Sequence, residues 1–184
     1  ADTKISSTVV YKGVTMTVKN IKPYLAYNNK YIKTLTIDND GELSEYAFTN
    51  CSNMVSVTLG QKLTAIGSYA FKSCSSIPTL VIPDAVTTIG TYAFSGCTAI
   101  DSLYIGSGVA TIGANAFSGC TGLRYMYYNA RNMTTSYFMY SSNSSSPFYN
   151  TTTSSFKTLI IGDSVQTIPQ YCFAGRNTID RLYI

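Results

Sequence analysis

The sequence contains no histidine and no tryptophan, and only 12% of its 184 residues are charged. Without histidine, neither a Ser-His nor a Cys-His catalytic pair can form, so paired carboxylates are the one enzymatic option left. A zinc site is not expected either, because the cysteines lack the close pairing of zinc ligands. No apolar stretch approaches the roughly 18 residues of a membrane span. These absences argue against most enzymes, against metal or other cofactors and against a membrane span in this chain.

The polar part of the composition is unusual, because Ser, Thr, Asn and Tyr take the place of charged residues. Hydrophobic residues make up 45% of the chain, which is ordinary for a globular protein. Thr and Tyr fit the pleat of a β-sheet, so this composition favours stacked β-structure. The net charge of +4 comes without any run of adjacent basic residues. A nucleic-acid partner is therefore not expected.

A repeat of 23 residues runs through most of the chain. Its columns include Phe48, Phe71, Phe94 and Phe117, the cysteines Cys51, Cys74, Cys97 and Cys120, and the isoleucines Ile66, Ile89 and Ile112. After an irregular stretch the unit returns at residues 165–173. Self-similarity at such a period predicts a solenoid, in which each coil buries the apolar side of its neighbour.

Residues 78–100 show how one coil is built. Leu80-Val81-Ile82 predicts a short strand with Leu80 and Ile82 inward and Val81 outward. Pro83-Asp84 begins a turn, and Val86 and Ile89 point inward from a second extended segment. Tyr92 to Cys97 is too short for a free helix and predicts a helical turn packed on the core. The predicted class is therefore an α/β repeat, strand-rich with short helical turns.

The chain divides into a predicted N-terminal cap, residues 1–31, and a solenoid, residues 32–184. Val14 to Val18 alternates apolar and polar residues, and Lys12-Gly13 can turn the chain back onto Thr8 to Tyr11, so the cap is expected to be β-structure. The fifth repeat is interrupted by an insertion, which gives an irregular loop at about 130–156. In this loop Phe148 is expected to replace the repeated phenylalanine. Insertions of this kind often emerge on the binding face.

The motifs Tyr92-Ala93-Phe94-Ser95-Gly96-Cys97-Thr98 and Asn115-Ala116-Phe117-Ser118-Gly119-Cys120-Thr121 resemble the BspA-type leucine-rich repeat. The resemblance covers about Ile32 to Ile184 and includes Tyr128-Asn129-Ala130-Arg131-Asn132 before a Ser-rich stretch. It implies a right-handed leucine-rich-repeat solenoid, export to the bacterial cell surface, and binding to host or partner macromolecules. It carries no catalytic residues over to this chain.

Several polar groups are candidate sites. The cysteines that share one column predict a ladder of buried free thiols, because stacked side chains leave in parallel directions and suit a disulfide poorly. Glu42 with Glu45, or Asp84 with Asp101, are the carboxylates that could act as an acid and base pair. Asp38 to Glu42 resembles a calcium loop in composition but lacks its spacing, so a polar turn is expected.

The outward strand positions are the best binding candidates, because tyrosine concentrates there toward the C-terminal half. The predicted binding residues are Tyr104, Tyr125, Tyr127, Tyr183 and Arg181. Tyrosine offers a large amphipathic contact area at low entropic cost. The alternative is that these tyrosines stack across strands and merely stabilise the sheet.

Two functions follow from these features. The first is a secreted or cell-surface adhesion module that binds a host or bacterial surface protein or a glycan through the concave sheet. The second is a structural spacer or self-associating repeat array, joined through the C-terminal end at Leu182-Tyr183-Ile184. The start at Ala1 fits a processed or truncated chain. At the other end, two interpretations stay open, a natural edge or a chain that continues.

Overall fold

The computed structural model describes residues 2–6, 8–11, 14–17, 20–38, 40–136, 138–139, 144–151, 156–174 and 178–184, with the backbone alone for residues 5–20. Within these residues there is no helix. The strands are β1 Asp2–Ser6, β2 Thr8–Tyr11, β3 Val14–Thr17, β4 Asn20–Ile21, β5 Thr34–Asp38, β6 Gly41–Leu43, β7 Ser56–Leu59, β8 Leu63–Ile66, β9 Thr79–Ile82, β10 Thr88–Ile89, β11 Ser102–Ile105, β12 Thr111–Ile112, β13 Tyr125–Tyr128, β14 Thr158–Ile161 and β15 Arg181–Tyr183.

The strands stack in parallel on two sides of a solenoid. One side holds the sheets β1-β5-β7 and β9-β11-β13-β14-β15, and the second side holds β4-β6-β8-β10-β12. Identical columns face one another, so that Leu80, Leu103 and Met126 are successive register partners. The predicted strands near the N-terminus form the antiparallel pair β2-β3. The turn predicted between them, at Lys12-Gly13, lies outside the described residues.

A proline divides the first side into its two sheets. Just before β11, the Asp101 N–H donates to the Pro78 carbonyl over 2.8 Å. Just before β13, the Arg124 N–H donates to the Asp101 carbonyl over 2.9 Å. Pro78 occupies the equivalent position before β9 but has no N–H, so it cannot donate to Val55 in the preceding coil. The hydrogen-bonded ladder is therefore interrupted between β7 and β9.

The core is a ladder of stacked side chains, as the repeat predicts. The rings of Phe48, Phe71, Phe94, Phe117 and Phe148 are at most 1% exposed, and successive centroids lie 5.5, 5.3, 5.3 and 4.7 Å apart. The predicted alternation in β9 is also confirmed, because Leu80 and Ile82 are buried while Val81 is 49% exposed. The replacement of the repeated phenylalanine by Phe148 is confirmed by its stacking on Phe117.

The third side of the solenoid, here called the turn side, consists of β-turns. In one coil the N–H groups of Ala70, Lys72 and Cys74 each donate to the carbonyl three residues earlier. Tyr69 and Ser73 have φ of 60° and 59°, in the left-handed region that a right-handed helix excludes. The short helical turns expected from the sequence are therefore not found among the described residues.

Coil geometry begins before residue 32. β4 pairs with β6, and Tyr24 and Asn28 have the same positive φ as Tyr46 and Asn50 one coil later. The Asn28 and Asn50 side chains are also hydrogen-bonded over 2.7 Å. Residues 20–32 thus already form a coil, and β1 extends the first sheet ahead of β5.

Two glycines of one coil differ in why they are needed, and this difference can be tested. A Cβ on Gly90 would lie 2.4 Å from the Ser68 backbone nitrogen, so Gly90→Ala should lower the free energy of unfolding by about 1–3 kcal/mol. Gly96 has φ +73°, and no atom lies closer than 3.4 Å to the place where its Cβ would stand. Asn50 holds the equivalent place in an earlier coil. Gly96→Asn should therefore change stability by no more than about 0.5 kcal/mol.

Urea denaturation of both variants beside the unsubstituted chain is the measurement. Equal losses from the two variants would contradict the assignment of Gly90 to a close backbone approach.

Candidate functional site

The five predicted binding residues project from three strands of one sheet, β11, β13 and β15. Tyr104 and Tyr127 are register partners whose rings lie 6.2 Å apart and are tilted by 37°. On β14, Thr158 lies in register between Tyr125 and Arg181. Ile160 of the same strand lies in register between Tyr127 and Tyr183. The structure therefore brings the five together on the outward side of β11 to β15, here called the strand face.

About half of the tyrosine surface on the strand face is open to solvent. Tyr104 and Tyr125 are each 45% exposed and Tyr183 is 54% exposed. Tyr127 is half-buried, since its hydroxyl leans over Gly162, 2.6 Å from where a Cβ would stand. The strand face therefore offers half-exposed rings to a partner.

The small side chain of Thr158 on β14 leaves a depression between larger ones. Thr158 points outward in register with Tyr125 and Arg181, yet it is only 8% exposed because its neighbours stand above it. The depression includes a cleft of about 250 Å³ lined by Tyr125, Lys157, Thr158, Asp180 and Arg181. Its walls are two strand spacings apart, about 9–10 Å between backbones.

Charged residues line the strand-start edge of this cleft. Lys157 Nζ lies 3.4 Å from Asp180 Oδ2, and Arg124 forms an ion pair with Asp101. The hydrogen bond from Arg124 to Asp101 raises the pKa of the guanidinium. Arg181 has no ion pair among the described residues, so the group of five charges carries one positive charge in excess.

The described part of the insertion contains no named strand, and some of its residues are buried. Phe138 and Met139 are fully buried, and the Phe138 ring meets Phe148 edge-on at 4.8 Å and Phe173 at 6.0 Å. The inserted segment thus enters the core beyond Phe148 because its apolar residues bury there. Residues 140–143 and 152–155 lie outside the described residues. Phe138 and Met139 therefore supply packing, whereas Ser144 and Ser145 of the same insertion are exposed.

A second tyrosine column, which is not among the predicted binding residues, lies on the turn side. Tyr24, Tyr46, Tyr69 and Tyr92 stack with centroids 5.0, 4.7 and 5.1 Å apart and ring planes within 17° of parallel. Lys72 Nζ lies 5.4 Å from the Tyr69 centroid. The spacing of these tyrosines, 22 or 23 residues, was the signal in the sequence.

The cysteine column is structural. All five cysteines are free and buried, and the Cys97 thiol donates to the Phe71 carbonyl over 3.2 Å. Thr151 follows in the same column, and its hydroxyl makes the equivalent bond to Phe117 over 3.2 Å. Burial raises the pKa of Cys97 and of Cys172 to about 12. Such thiols stay protonated and are poor nucleophiles.

Of the candidate carboxylates, Asp84 and Asp101 each have a different partner. Asp84 Oδ1 accepts the Ser107 N–H over 2.7 Å, whereas Asp101 is paired with Arg124. Asp40 lies 3.5 Å from Lys62 Nζ, and Asn39 in the expected polar turn is outside the described residues. Over the described ranges, no group of three or more acidic, Cys or His side chains could hold a metal ion.

Comparison with known proteins identifies the type of repeat. The family model for the BspA type leucine rich repeat region matches residues 19–146 and 143–184, in six copies. A search of curated proteins finds no match. In the part of the chain that is described, no helix has the length and apolarity to cross a membrane.

Three solved structures share the fold. A leucine-rich repeat protein from Bacteroides ovatus is 22% identical over the whole chain, with a TM-score of 0.66. The T. pallidum protein TpLRR is 19% identical over 98% of the chain (TM-score 0.64), and pneumococcal PcpA is 14% identical over all of it (TM-score 0.59). This chain spans 45%, 67% and 60% of those three chains.

Buried thiols should make the protein less stable in alkali. Up to about pH 8.5 the thiols are protonated in both states, so their contribution to stability is fully present. As the pH rises from there towards 12, the unfolded chain releases thiol protons that folded Cys97 and Cys172 retain. The free energy of unfolding should then fall by up to about 1.4 kcal/mol per pH unit for each such thiol. Denaturation under reducing conditions at pH 7.5, 8.5 and 9.5 measures this.

Cys97→Thr is the matched control, because threonine already serves in this column at Thr151. We expect the variant to stay within about 1 kcal/mol of the unsubstituted chain at pH 7.5 and to show a shallower alkaline slope. An unchanged slope would mean that Cys97 does not titrate as its burial requires.

Proposed function

Because this chain belongs to the BspA-type leucine-rich repeat family, we propose that it is a secreted or cell-surface binding module that recognises a protein or glycan through its strand face. The family assignment and the naming of its structural neighbour PcpA as a vaccine antigen support an extracellular location. The proposed binding residues are Tyr104, Tyr125, Tyr127, Tyr183 and Arg181.

The observation that carries the proposal is the aromatic surface on β11, β13 and β15. Tyr104, Tyr125 and Tyr183 are about half exposed, whereas the equivalent outward positions of β5 and β7 are Thr36 and Thr58. Exposed aromatic side chains gathered in one patch are typical of interaction sites. A non-enzymatic role is also proposed, since Asp84 and Asp101, one of the two candidate carboxylate pairs, are bonded to other partners.

The test is a glycan array together with an array of extracellular host proteins, probed with the unsubstituted chain and with Tyr104→Ala/Tyr127→Ala. We expect the double variant to bind at least tenfold more weakly, because two rings are lost from the centre of the patch.

Val81→Ala is the control, since Val81 is an exposed aliphatic residue in the same outward column. It should bind within about threefold of the unsubstituted chain. Undiminished binding by the double tyrosine variant would rule out the strand face as the site.

A second candidate function is end-to-end self-association through the C-terminal coil. Leu182 is 57% exposed, although its column partners Leu159, Met126 and Leu103 are at most 2% exposed. A second copy could cover this apolar position. Light scattering from micromolar to millimolar concentration should then show mass growing with concentration, and Leu182→Glu should suppress the growth. A monomer at every concentration would exclude this function.

A further inference from the structure

We propose that the cleft over Thr158 receives the carboxylate-bearing sugar of an acidic glycan. This inference rests on the proposed function, because the cleft lies within the strand face. It adds the chemical class of the ligand and the residues that select it.

One positive charge at the cleft has no acidic partner among the described residues. Lys157 and Arg124 are each neutralised by an aspartate within the strand face. The Arg181 side chain is exposed, and its guanidinium has no ion pair or hydrogen bond among the described residues. A guanidinium presents a planar fork of N–H donors that matches a carboxylate. The geometry therefore favours an anionic ligand group beside Arg181.

The cleft is small and has an aromatic wall. Its volume of about 250 Å³ is below the range of drug-sized pockets, so it suits a single sugar unit. Tyr125, 45% exposed, forms the wall opposite Arg181. One wall can therefore stack on the apolar face of a sugar ring while the other binds its carboxylate.

Two polar groups of the cleft favour an acidic sugar over an acidic peptide. The Thr158 hydroxyl has no hydrogen-bond partner among the described residues, and the Asp180 carboxylate lines the same cleft. A sugar can donate its hydroxyls to Asp180 and exchange a hydrogen bond with Thr158. A Glu or Asp side chain has only a carboxylate, which accepts hydrogen bonds but has none to donate to Asp180.

The experiment measures the binding of matched probes by titration calorimetry. The probes are sialyllactose with lactose, and oligogalacturonate with its methyl ester, so that each pair differs in its charged carboxylate. At least one acidic probe should bind tenfold or more tightly than its neutral counterpart, and NaCl should weaken this binding. A glutamate-rich peptide is the third arm.

Variants of the cleft assign the preference to its residues. Arg181→Gln should remove the preference for the acidic probe, Arg181→Lys should restore part of it, and Thr158→Val should weaken binding about threefold. Lys72→Gln is the control, because Lys72 also lies beside tyrosine rings but on the turn side. Thermal unfolding should be unchanged in Arg181→Gln, since the side chain is exposed.

The outcomes distinguish this inference from the proposed function. The inference is wrong if neutral probes bind as well as acidic ones, or if Arg181→Gln keeps the preference for the acidic probe. In either case, loss of binding in Tyr104→Ala/Tyr127→Ala would still support the strand face as the binding site. Binding of the peptide alone, or of no probe, also overturns it. Binding that survives the double tyrosine variant overturns the proposed function itself.

Discussion

The structure depends on one constraint, that each coil must lie in register on the next. A coil such as residues 79–101 cannot bury Leu80, Ile82 and Phe94 by itself, because all three point to one thin interior. Parallel strand pairing sets neighbouring coils about 4.8 Å apart, and the phenylalanine rings follow at 4.7 to 5.5 Å. Backbone hydrogen bonds and side-chain stacking thus require the same spacing. Any residue that repeats in sequence becomes a ladder in space.

The columns tolerate exchange when the replacement meets the same physical need. Thr151 takes the place of a cysteine and donates the same hydrogen bond to the preceding coil. Asn115 replaces a tyrosine on the turn side and keeps the positive φ of that column. Its amide donates to the Ser144 carbonyl of the insertion. Because asparagine has no ring, the ladder of rings ends where the insertion is attached. These exchanges show that backbone conformation and hydrogen bonding define a column more strictly than residue type does.

Much of the fold could be predicted because a 23-residue period converts sequence into neighbours. The phenylalanine ladder follows from that period, and the burial of Leu80 and Ile82 follows from alternation along a strand of the repeat. The role of Phe148 was predicted although this residue lies outside the 23-residue spacing. The turn side could not be predicted, since Tyr69 and Ser73 adopt a left-handed conformation that propensity assigns to glycine and asparagine. For the insertion, the Ser-rich composition predicts an irregular loop but does not show which of its residues are buried. Phe138 and Met139 are apolar and lie in the core.

The two groups of tyrosines show how the same residue can serve packing in one place and remain available for contact in another. On the turn side the planes of Tyr46 and Tyr69 are 4° apart, so each of these rings covers a face of the other, and both are half-buried. On the strand face Tyr104 and Tyr127 are tilted by 37° at 6.2 Å, and Tyr125 has only Thr158 beside it on β14. Rings that do not cover one another keep a face for a ligand. A solenoid with a fixed backbone can create a site in this way, by placing a small residue between large ones on adjacent strands.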